Sequence, residues 1–468
     1  MKRIIICFDG TWNRIDADEP TNVLKIATGI TPKSQNEIGQ IIYYDEGVGT
    51  SGSWIRRLKD GAFGLGVRKN LREAYQFLMF NYDPQDEIYV FGFSRGAFTA
   101  RSFVGLIRSV GIIQRDQVRQ VPAAIKIYKK GLGFAHPDLL AFRAKYSRHI
   151  STCGEDEQHR CEVLEDYLPG SSLPFKFRYV GIWDTVESIG FWKILWASLT
   201  KRKQTVFVDS HHKYHDHKLN GMVAAGRHAV ALDEKRQHFH SEPWGAVSKR
   251  NTQLGYDIND ENRPIQEKFF PGDHGSVGGG GDIKGLSDGA FEWVLDGARN
   301  AGLKLDVTAT SSIYNILPNH QASLRNTTKP PKKFSLINIF QQTRSHKPNG
   351  MYEIHDSAQR RWLSGGLGGK AYRPEALMHL RDQLDNANPA KLKEYKALSG
   401  KIEQNLDGGE FIYHTIKKDE SLSAIAETYL GDRMRFDEIF ELNRQIIHDK
   451  NKVYPGQVIR VPISKEDE

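Results

Sequence analysis

A serine between two glycines is the first feature of this sequence that could do chemistry. In the segment IYVFGFSRGAFTAR, residues 88–101, Gly92, Ser94 and Gly96 follow the pattern G-x-S-x-G. The residues before Ser94 are mostly apolar and favour a strand, and those after it are compatible with a helix. A strand-to-helix turn with this spacing is sharp enough to hold a serine hydroxyl clear of a sheet as a nucleophile. The alternative is a small residue in an ordinary tight bend, and the flanking elements favour the nucleophile.

A nucleophilic serine needs a histidine as base and a carboxylate that orients it, and two loops offer them. Asp184 follows the strand-like run in RYVGIWDTVESIG, and His274 lies in the glycine-rich segment KFFPGDHGSVGGGG. The chain order serine, aspartate, histidine is one that hydrolases with this serine turn use. An aspartate after a strand is also a common helix N-cap. Asp216 and His228 remain alternatives for the acid and the base.

Such a reaction also needs backbone N–H groups that stabilise the oxyanion, and one of them usually belongs to the residue after the nucleophile. That residue is Arg95. The second donor is expected from a loop after a neighbouring strand, and ICFDGTWN offers Gly10 and Thr11. An ordinary Asp-Gly turn is the alternative interpretation of that loop.

Two histidine-containing segments carry side chains that can bind metal ions. They are HISTCGEDEQHRC, residues 149–161, and DSHHKYHDHKLN, residues 209–220. Neither matches a standard zinc spacing. A solvated polar loop is the favoured interpretation of both, so we predict no metal ion and no cofactor.

The segment SIGFWKILWASLTKRK, residues 188–203, joins aromatic residues to a basic run. Phe191, Trp192 and Trp196 next to three cations suit insertion into an anionic membrane interface. A buried helix would use the same apolar residues. The cations favour a lid or a membrane-contact element.

Strand-like and helix-like segments alternate from the start of the chain to about residue 362. RIIICF, QIIYYD, EIYVFGF and FKFRYVGIW are typical of strands, several of them apolar on both faces, and GLGVRKNLREAYQFLMFNY has helical spacing. This alternation predicts an α/β fold with a mostly parallel sheet. The 468-residue chain carries a formal net charge of +8, which favours anionic partners. No nucleic-acid-binding module is visible, so we expect none of those partners to be nucleic acid.

The remainder of the chain divides into two parts. Residues 365–410 are charged and punctuated by glycine, which indicates a linker with surface helices. Residues 411–464 follow the order strand, helix, helix, strand and indicate a small α+β domain. We therefore expect a catalytic domain over residues 1–364, followed by the linker and the small domain.

Several motifs together resemble a known family. CFDGTWN, YYDEGVGT, FGFSRGAFTAR, VGIWDTV, RHAVALDEKR and FFPGDHGSVGGG occur in this order. They are similar to those of the α/β-hydrolase family that includes the G-x-S-x-G lipase effectors of type VI secretion. The resemblance implies phospholipase A activity with Ser94, Asp184 and His274 as the catalytic triad. A catalytically inactive binding or assembly protein and a soluble esterase that acts on small acyl esters are the alternatives. The family often has an aspartate where this chain has Ser276, so Asp273 and Asp282 are further candidates for the acid.

The C-terminal part resembles a LysM domain, a βααβ module that binds glycans containing N-acetylglucosamine, such as peptidoglycan. YHTIKKDESLSAIAETYLGD and VYPGQVIRVP match its opening and closing signatures. The resemblance implies glycan contacts in two loops. The residues expected there are Lys418, Asp419, Ser421, Asn443 and Ile446.

The two resemblances together imply an antibacterial effector. The apolar N-terminal run is too short for a Sec signal, so we expect synthesis in the cytoplasm. Delivery into the periplasm of a target cell would bring the protein to its phospholipid substrate and to peptidoglycan. A secretion spike, a chaperone or an immunity protein are further expected partners, and docking of the LysM module onto a secretion component is an alternative to glycan binding.

Overall fold

The computed structural model of the protein describes residues 1–10, 15, 17, 19–32, 38–47, 62–186, 221–236, 239, 241–305, 316, 318–327, 344, 346–365, 370–393, 403–404, 410–417, 419–444, 447, 449–453 and 457–462. Within these ranges the strands are β1 (Arg3–Phe8), β2 (Gln40–Asp45), β3 (Glu87–Phe93), β4 (Ile150–Ser151), β5 (Leu173–Pro174), β6 (Tyr179–Trp183), β7 (Gly226–Ala231), β8 (Ile265–Phe270), β9 (Glu403–Gln404), β10 (Glu410–Thr415) and β11 (Val458–Pro462).

The α-helices in the same ranges are α1 (Asn22–Gly29), α2 (Ala62–Asn81), α3 (Arg95–Val110), α4 (Val121–Tyr128), α5 (Pro137–Tyr146), α6 (Gly154–Val163), α7 (Val247–Gln253), α8 (His274–Gly278), α9 (Gly285–Asn300), α10 (Asp356–Ser364), α11 (Arg381–Asp385), α12 (Leu422–Leu430) and α13 (Phe436–Leu442). Short 3₁₀ helices span Arg115–Gln120, Met351–Glu353, Glu375–Leu380, Pro389–Lys391 and Arg433–Arg435.

The large sheet has six strands in the order β2-β1-β3-β6-β7-β8, and every neighbouring pair is parallel. Apolar residues on both faces of its strands explain this arrangement, because a parallel sheet is covered by helices on both sides. All six residues of β1 are buried. The predicted α/β fold with a mostly parallel sheet is confirmed.

Alternate residues of β1 enter two different cores. Ile4, Ile6 and Phe8 pack in the core that contains apolar residues of α2 and α3. Ile5 and Cys7 pack in the core on the other face, with residues of α1 and α9. The sheet is therefore a rigid layer between two helical layers, and its strand ends are fixed in space.

The strand order reverses beside β1, which lies between β2 and β3. In open α/β sheets, ligands bind outside the carboxyl ends of the strands at such a switch point. Ser94 follows β3 at this point, and Asp9 and Gly10 follow β1. The topology alone thus predicts a ligand-binding site at the loop that carries Ser94.

The segment that follows α10 packs more deeply than its composition indicates. Leu377 and Leu384 lie in a buried cluster with Val230 of β7, Phe269 of β8 and Trp362 of α10. These residues belong to the segment 365–410, for which the sequence predicts a linker with surface helices. The described residues 372–384 instead extend the core beside β7 and β8.

The C-terminal residues form a unit with its own core. β10 pairs antiparallel with both β11 and β9, and α12 and α13 lie between β10 and β11 in the chain. Ile425, Ile439, Ile459 and Val461 are among its fully buried residues. The order β10-α12-α13-β11 is the predicted one, and β9 adds a short strand from the segment predicted as a linker.

In the described part of the chain, no single helix has the length and apolar composition needed to cross a bilayer. The stretches Arg95–Val110 and Arg115–Tyr128 reach that threshold only when they are taken together across a bend of 111°.

Candidate active site

Ser94 stands on a sharp turn between β3 and α3. Its backbone has φ 59° and ψ −122°, a conformation that a residue with a side chain rarely adopts. A Cβ atom on Gly92 would lie 2.7 Å from the Gly96 carbonyl oxygen, and one on Gly96 would collide with the Phe8 carbonyl oxygen. Both glycines are therefore required by close backbone approach, as the G-x-S-x-G spacing predicts.

The structure brings the three residues predicted as a triad within hydrogen-bonding distance of one another. Ser94 Oγ lies 2.7 Å from His274 Nε2, and His274 Nδ1 lies 2.6 Å from Asp184 Oδ2. All three side chains are buried. A serine, a base and an orienting carboxylate in this geometry can transfer a proton from the hydroxyl as it attacks an electrophile.

The Asp184 carboxylate accepts hydrogen bonds at both oxygens. Oδ1 accepts from the Ala231 N–H at 3.0 Å and from Arg344 Nη1 at 2.6 Å. Oδ2 accepts from His274 Nδ1 and from Arg344 Nη2, the latter at 2.8 Å. Burial alone would raise the pKa of Asp184, but the charge of Arg344 and the bond to His274 lower it below the ordinary value of a carboxyl group. Asp184 is therefore ionised at neutral pH.

His274 begins α8 and is held on several sides. Its backbone N–H donates to Glu234 Oε2 at 3.2 Å. Its ring stacks on Phe93 at a centroid distance of 4.7 Å, and the Phe239 ring packs edge-on at 4.8 Å. Burial lowers the pKa of His274 below its ordinary value, and the bond to Asp184 only partly opposes this effect. The ring is therefore neutral at neutral pH and able to accept a proton.

The alternative acids and base occupy other positions. His228 is fully buried in β7, where its ring contacts Thr185 Oγ1 and Glu267 Oε2, the latter at 2.7 Å. Asp273 caps α8 by accepting the Ser276 N–H at 2.9 Å. Asp282 is buried beyond that helix, and the carboxylate bonded to His274 Nδ1 is Asp184. Asp216 lies outside the described residues.

The predicted oxyanion donors are only partly described. Arg95 is the first residue of α3, where backbone N–H groups point out of the helix end. The Gly10 N–H donates instead to Asp9 Oδ1 at 2.6 Å, and Tyr44 and Thr21 donate to Asp9 Oδ2. In this conformation the Asp9 carboxylate engages the Gly10 N–H, so Gly10 is not presented as a donor. Thr11 lies outside the described residues.

The residues predicted for membrane contact and for glycan contact are described only in part. Phe191, Trp192, Trp196, Lys418 and Ile446 all lie outside the described residues. In the C-terminal unit, Asp419 and Ser421 are exposed, and Ser421 Oγ caps α12 by accepting the Ala424 N–H at 3.2 Å.

Asn443 does not suit its predicted role in glycan contact. Its amide group donates to the Ile439 and Arg460 carbonyl oxygens, and its side-chain oxygen accepts the Arg460 N–H at 2.8 Å. The residue is 2% exposed. The side chain therefore stabilises the junction of α13 and β11, and it is not available to a ligand.

Sequence reasoning missed Arg344 and the two carboxylates that follow β7. Asp233 Oδ2 accepts the Gly272 N–H at 2.7 Å, and Glu234 accepts the His274 N–H. The motif RHAVALDEKR contains both carboxylates and was the available signal for them. Arg344 lies in no motif, so no comparable signal pointed to it. Among the described residues, no group of three or more metal-ligating side chains comes together.

Two curated proteins are similar to parts of this chain. An uncharacterised protein of Saccharomyces cerevisiae is 30% identical over 251 residues, which are 51% of this chain and 32% of that protein. The potassium binding protein Kbp of Escherichia coli is 38% identical over 50 residues, 11% of this chain and 34% of that protein. The chain thus spans about a third of the length of these curated relatives.

Solved structures also match in part. An uncharacterised protein from Pseudomonas aeruginosa aligns over 65% of this chain and 46% of its own, with 16% identity and a TM-score of 0.32. The Tle1 effector bound to the VgrG spike of the type VI secretion system aligns over 59% and 51%, with 18% identity and a TM-score of 0.29.

Two family models cover most of the sequence between them. Residues 414–462 match the LysM domain. Residues 2–297, more than half of the chain, match the catalytic domain of Tle1-like phospholipase effectors of the type VI secretion system. The chain therefore belongs to the Tle1-like phospholipase effector family and carries a LysM domain near its C-terminus.

Proposed function

We propose that the protein is a serine hydrolase that cleaves the acyl esters of phospholipids, a phospholipase A. The observation that carries this proposal is the unbroken line of hydrogen bonds from Ser94 through His274 to Asp184. Its position in a domain of the phospholipase effector family supplies the substrate class. The fold alone would not choose a substrate.

In the proposed reaction His274 acts first as a base. Its Nε2 takes the proton from Ser94 Oγ, and the oxygen attacks the carbonyl carbon of the acyl ester. The N–H of Arg95 and one further backbone donor stabilise the oxyanion. Asp184 orients the ring and stabilises its charged form, and His274 then gives the proton to the leaving lysophospholipid.

The second half of the reaction returns the enzyme to its starting state. His274 takes a proton from water as the water oxygen attacks the acyl carbonyl carbon on Ser94. The bond from that carbon to Ser94 Oγ then breaks, His274 returns the proton to Ser94 Oγ, and a free fatty acid leaves. The buried setting of all three side chains favours this sequence, because fixed dipoles act more strongly where water is excluded.

The test is fatty-acid release from vesicles of phosphatidylethanolamine and phosphatidylglycerol. Ser94→Ala should abolish release, whereas Ser102→Ala should retain it. Ser102 is a matched control because it is also buried in α3, and its hydroxyl has no hydrogen-bond partner among the described residues. Equal release by the wild type and Ser94→Ala would refute the serine mechanism.

Mass spectrometry of the lysophospholipid identifies the ester that is cleaved. Release of a phosphorylated head group in place of a fatty acid would refute the A-type activity. Cleavage of short-chain soluble esters without any action on vesicles would indicate a soluble esterase instead.

We also propose that the protein is an antibacterial effector delivered by type VI secretion to the periplasm of a target cell. A LysM module that binds peptidoglycan would hold the enzyme close to the membranes there and raise its local concentration. The family of residues 2–297 and the LysM match together support this proposal. The corresponding division is a catalytic domain over residues 1–364, whose core residues 372–384 extend, followed by the module at 411–464.

Retention on insoluble peptidoglycan tests the tether. The full chain and a chain ending at residue 410 are compared for sedimentation with peptidoglycan and for activity on vesicles. We expect the shorter chain to lose sedimentation and keep vesicle activity. Equal sedimentation of both chains would exclude the LysM module as the tether and leave docking to a secretion component.

A further inference from the structure

Arg344 contacts both oxygens of the Asp184 carboxylate. Nη1 lies 2.6 Å from Oδ1 and Nη2 lies 2.8 Å from Oδ2. Nη1 also donates to the Ala231 carbonyl oxygen at 3.3 Å. The guanidinium is 6% exposed and the carboxylate is fully buried. A planar two-point contact of this kind fixes the rotation of a carboxylate as well as its charge.

A second contact anchors the chain two residues further on. His346 Nε2 lies 3.2 Å from Glu267 Oε1, and His346 Nδ1 lies 3.1 Å from Ser241 Oγ. Its ring also packs edge-on against Phe269 of β8 at 4.8 Å. The side chain two residues after Arg344 is therefore fixed independently of Asp184.

We propose that Arg344 is a positioning residue for the reaction, which holds the Asp184 carboxylate in the orientation that receives His274 Nδ1. This inference rests on the proposed function, because it assigns a role in the same hydrogen-bonded line. Arg344 touches neither Ser94 nor the ester in this assignment and acts only through Asp184.

The charge of Arg344 gives this role a measurable signature. Asp184 and His274 are hydrogen-bonded, so a proton that binds to either residue is shared between them. The apparent pKa of that protonation is a property of the pair and not of one residue. A neighbouring guanidinium makes the pair bind that proton more weakly, whichever residue holds it. Loss of the guanidinium should therefore raise the apparent pKa of the pair.

Other charged groups also face the pair from the surrounding elements. They are Glu234 and Arg236 in the loop after β7, and Asp273 beside the histidine. Arg236 and Glu234 bind each other at 2.6 Å and largely neutralise one another. All of these groups remain when Arg344 alone is changed, so a shift can be assigned to Arg344.

The experiment measures the rate at which a fluorophosphonate labels Ser94 as a function of pH. This reagent reports nucleophilic serine activity without knowledge of the natural substrate. In the wild type, the labelling rate should rise with pH along an acidic limb and then reach a plateau. Arg344→Gln should lower the labelling rate on the plateau and move the acidic limb to higher pH by about one unit. Arg344→Lys keeps the charge but not the two-point contact, so we expect a lower plateau with an unmoved limb.

The matched control is Arg143→Gln, which breaks another buried arginine–aspartate pair, with Asp156 at 2.7 Å. It should lower thermal stability without moving the acidic limb. A lowered plateau in Arg344→Gln with the limb unmoved would overturn the inference and leave Arg344 a structural role. If Arg344→Gln does not fold, Arg344→Lys provides the test. A plateau labelling rate in Arg344→Lys equal to that of the wild type would overturn the inference.

The failure of the proposed serine mechanism gives a different result. In that case neither the wild type nor any variant is labelled at Ser94. Labelling of the wild type at Ser94 without fatty-acid release would refute the assignment of phospholipids as the substrate. The proposed role of Arg344 would be unaffected by that result.

Discussion

The backbone at Ser94 predicts that this position is more stable with glycine than with alanine. Its φ of 59° and ψ of −122° lie where a Cβ atom is strained and glycine is not. Hydrogen bonds hold the strained turn in place, since the Ser94 N–H donates to the Trp183 carbonyl oxygen at 3.0 Å. Ser94→Gly should therefore relieve strain that Ser94→Ala retains.

The expected gain follows from two opposing contributions. A residue held in such a conformation costs about 1–3 kcal/mol. Glycine loses about 0.5–1 kcal/mol of this advantage through its greater freedom in the unfolded chain. From the middle of each range, the free energy of unfolding of Ser94→Gly should exceed that of Ser94→Ala by about 1 kcal/mol.

Thermal unfolding of the two variants provides the measurement, and a gain of this size raises Tm by about 1–4 °C. Alanine is the proper reference because both variants lose the bond between the serine hydroxyl and His274. Both should also be inactive in the vesicle assay. Equal stability, or a less stable glycine variant, would refute the assignment of a strained turn at Ser94.

Three further predictions concern the surroundings of the serine. The rate of vesicle hydrolysis at limiting substrate should fall only as the pH drops below about 6.5. A protonated His274 cannot accept the serine proton, and burial holds the pKa of His274 below that ordinary value. A fall in rate that begins well above this pH would contradict the burial argument. Gly96→Ala should fail to yield folded, active protein, because its Cβ meets main-chain carbonyl oxygens at the end of β1. Gly133→Ala should unfold at the wild-type temperature, because no described residue beyond its chain neighbours comes within 4 Å of an added Cβ. Glu234→Ala should lower the free energy of unfolding by about 1–3 kcal/mol and reduce vesicle activity, because it removes the acceptor of the His274 N–H. Unchanged stability and unchanged vesicle activity would show that this bond does not position His274.

The turn at Ser94 was predictable because all of its determinants lie within a few residues. The apolar strand, the two glycines and the helix that follows are local features, and each is visible in residues 88–101. The positions of Asp184 and His274 at strand ends were predictable for the same reason. Their distances to Ser94 depend on strand order, which local patterns do not specify.

Arg344 could not be predicted, because everything that places it is distant in the chain. Its partner Asp184 lies 160 residues away, and the anchor of His346 lies 79 residues away in β8. Asn443 failed as a prediction for a related reason. Its loop position suggested a ligand contact, but its amide group completes a junction between two elements that only the fold brings together.

The strand order also explains why the loop after β7 carries two carboxylates. Asp184 follows β6 and His274 follows β8, with β7 between them. Neighbouring strands lie about 4.8 Å apart, so the two strand ends are separated by about 10 Å. The histidine loop must cross the end of β7 to reach Asp184, and its main-chain N–H groups need acceptors there. Asp233 and Glu234 supply those acceptors, while the N–H of Ala231, the last residue of β7, donates to Asp184. The two carboxylates of RHAVALDEKR thus bridge the gap that this strand order leaves between the ends of β6 and β8.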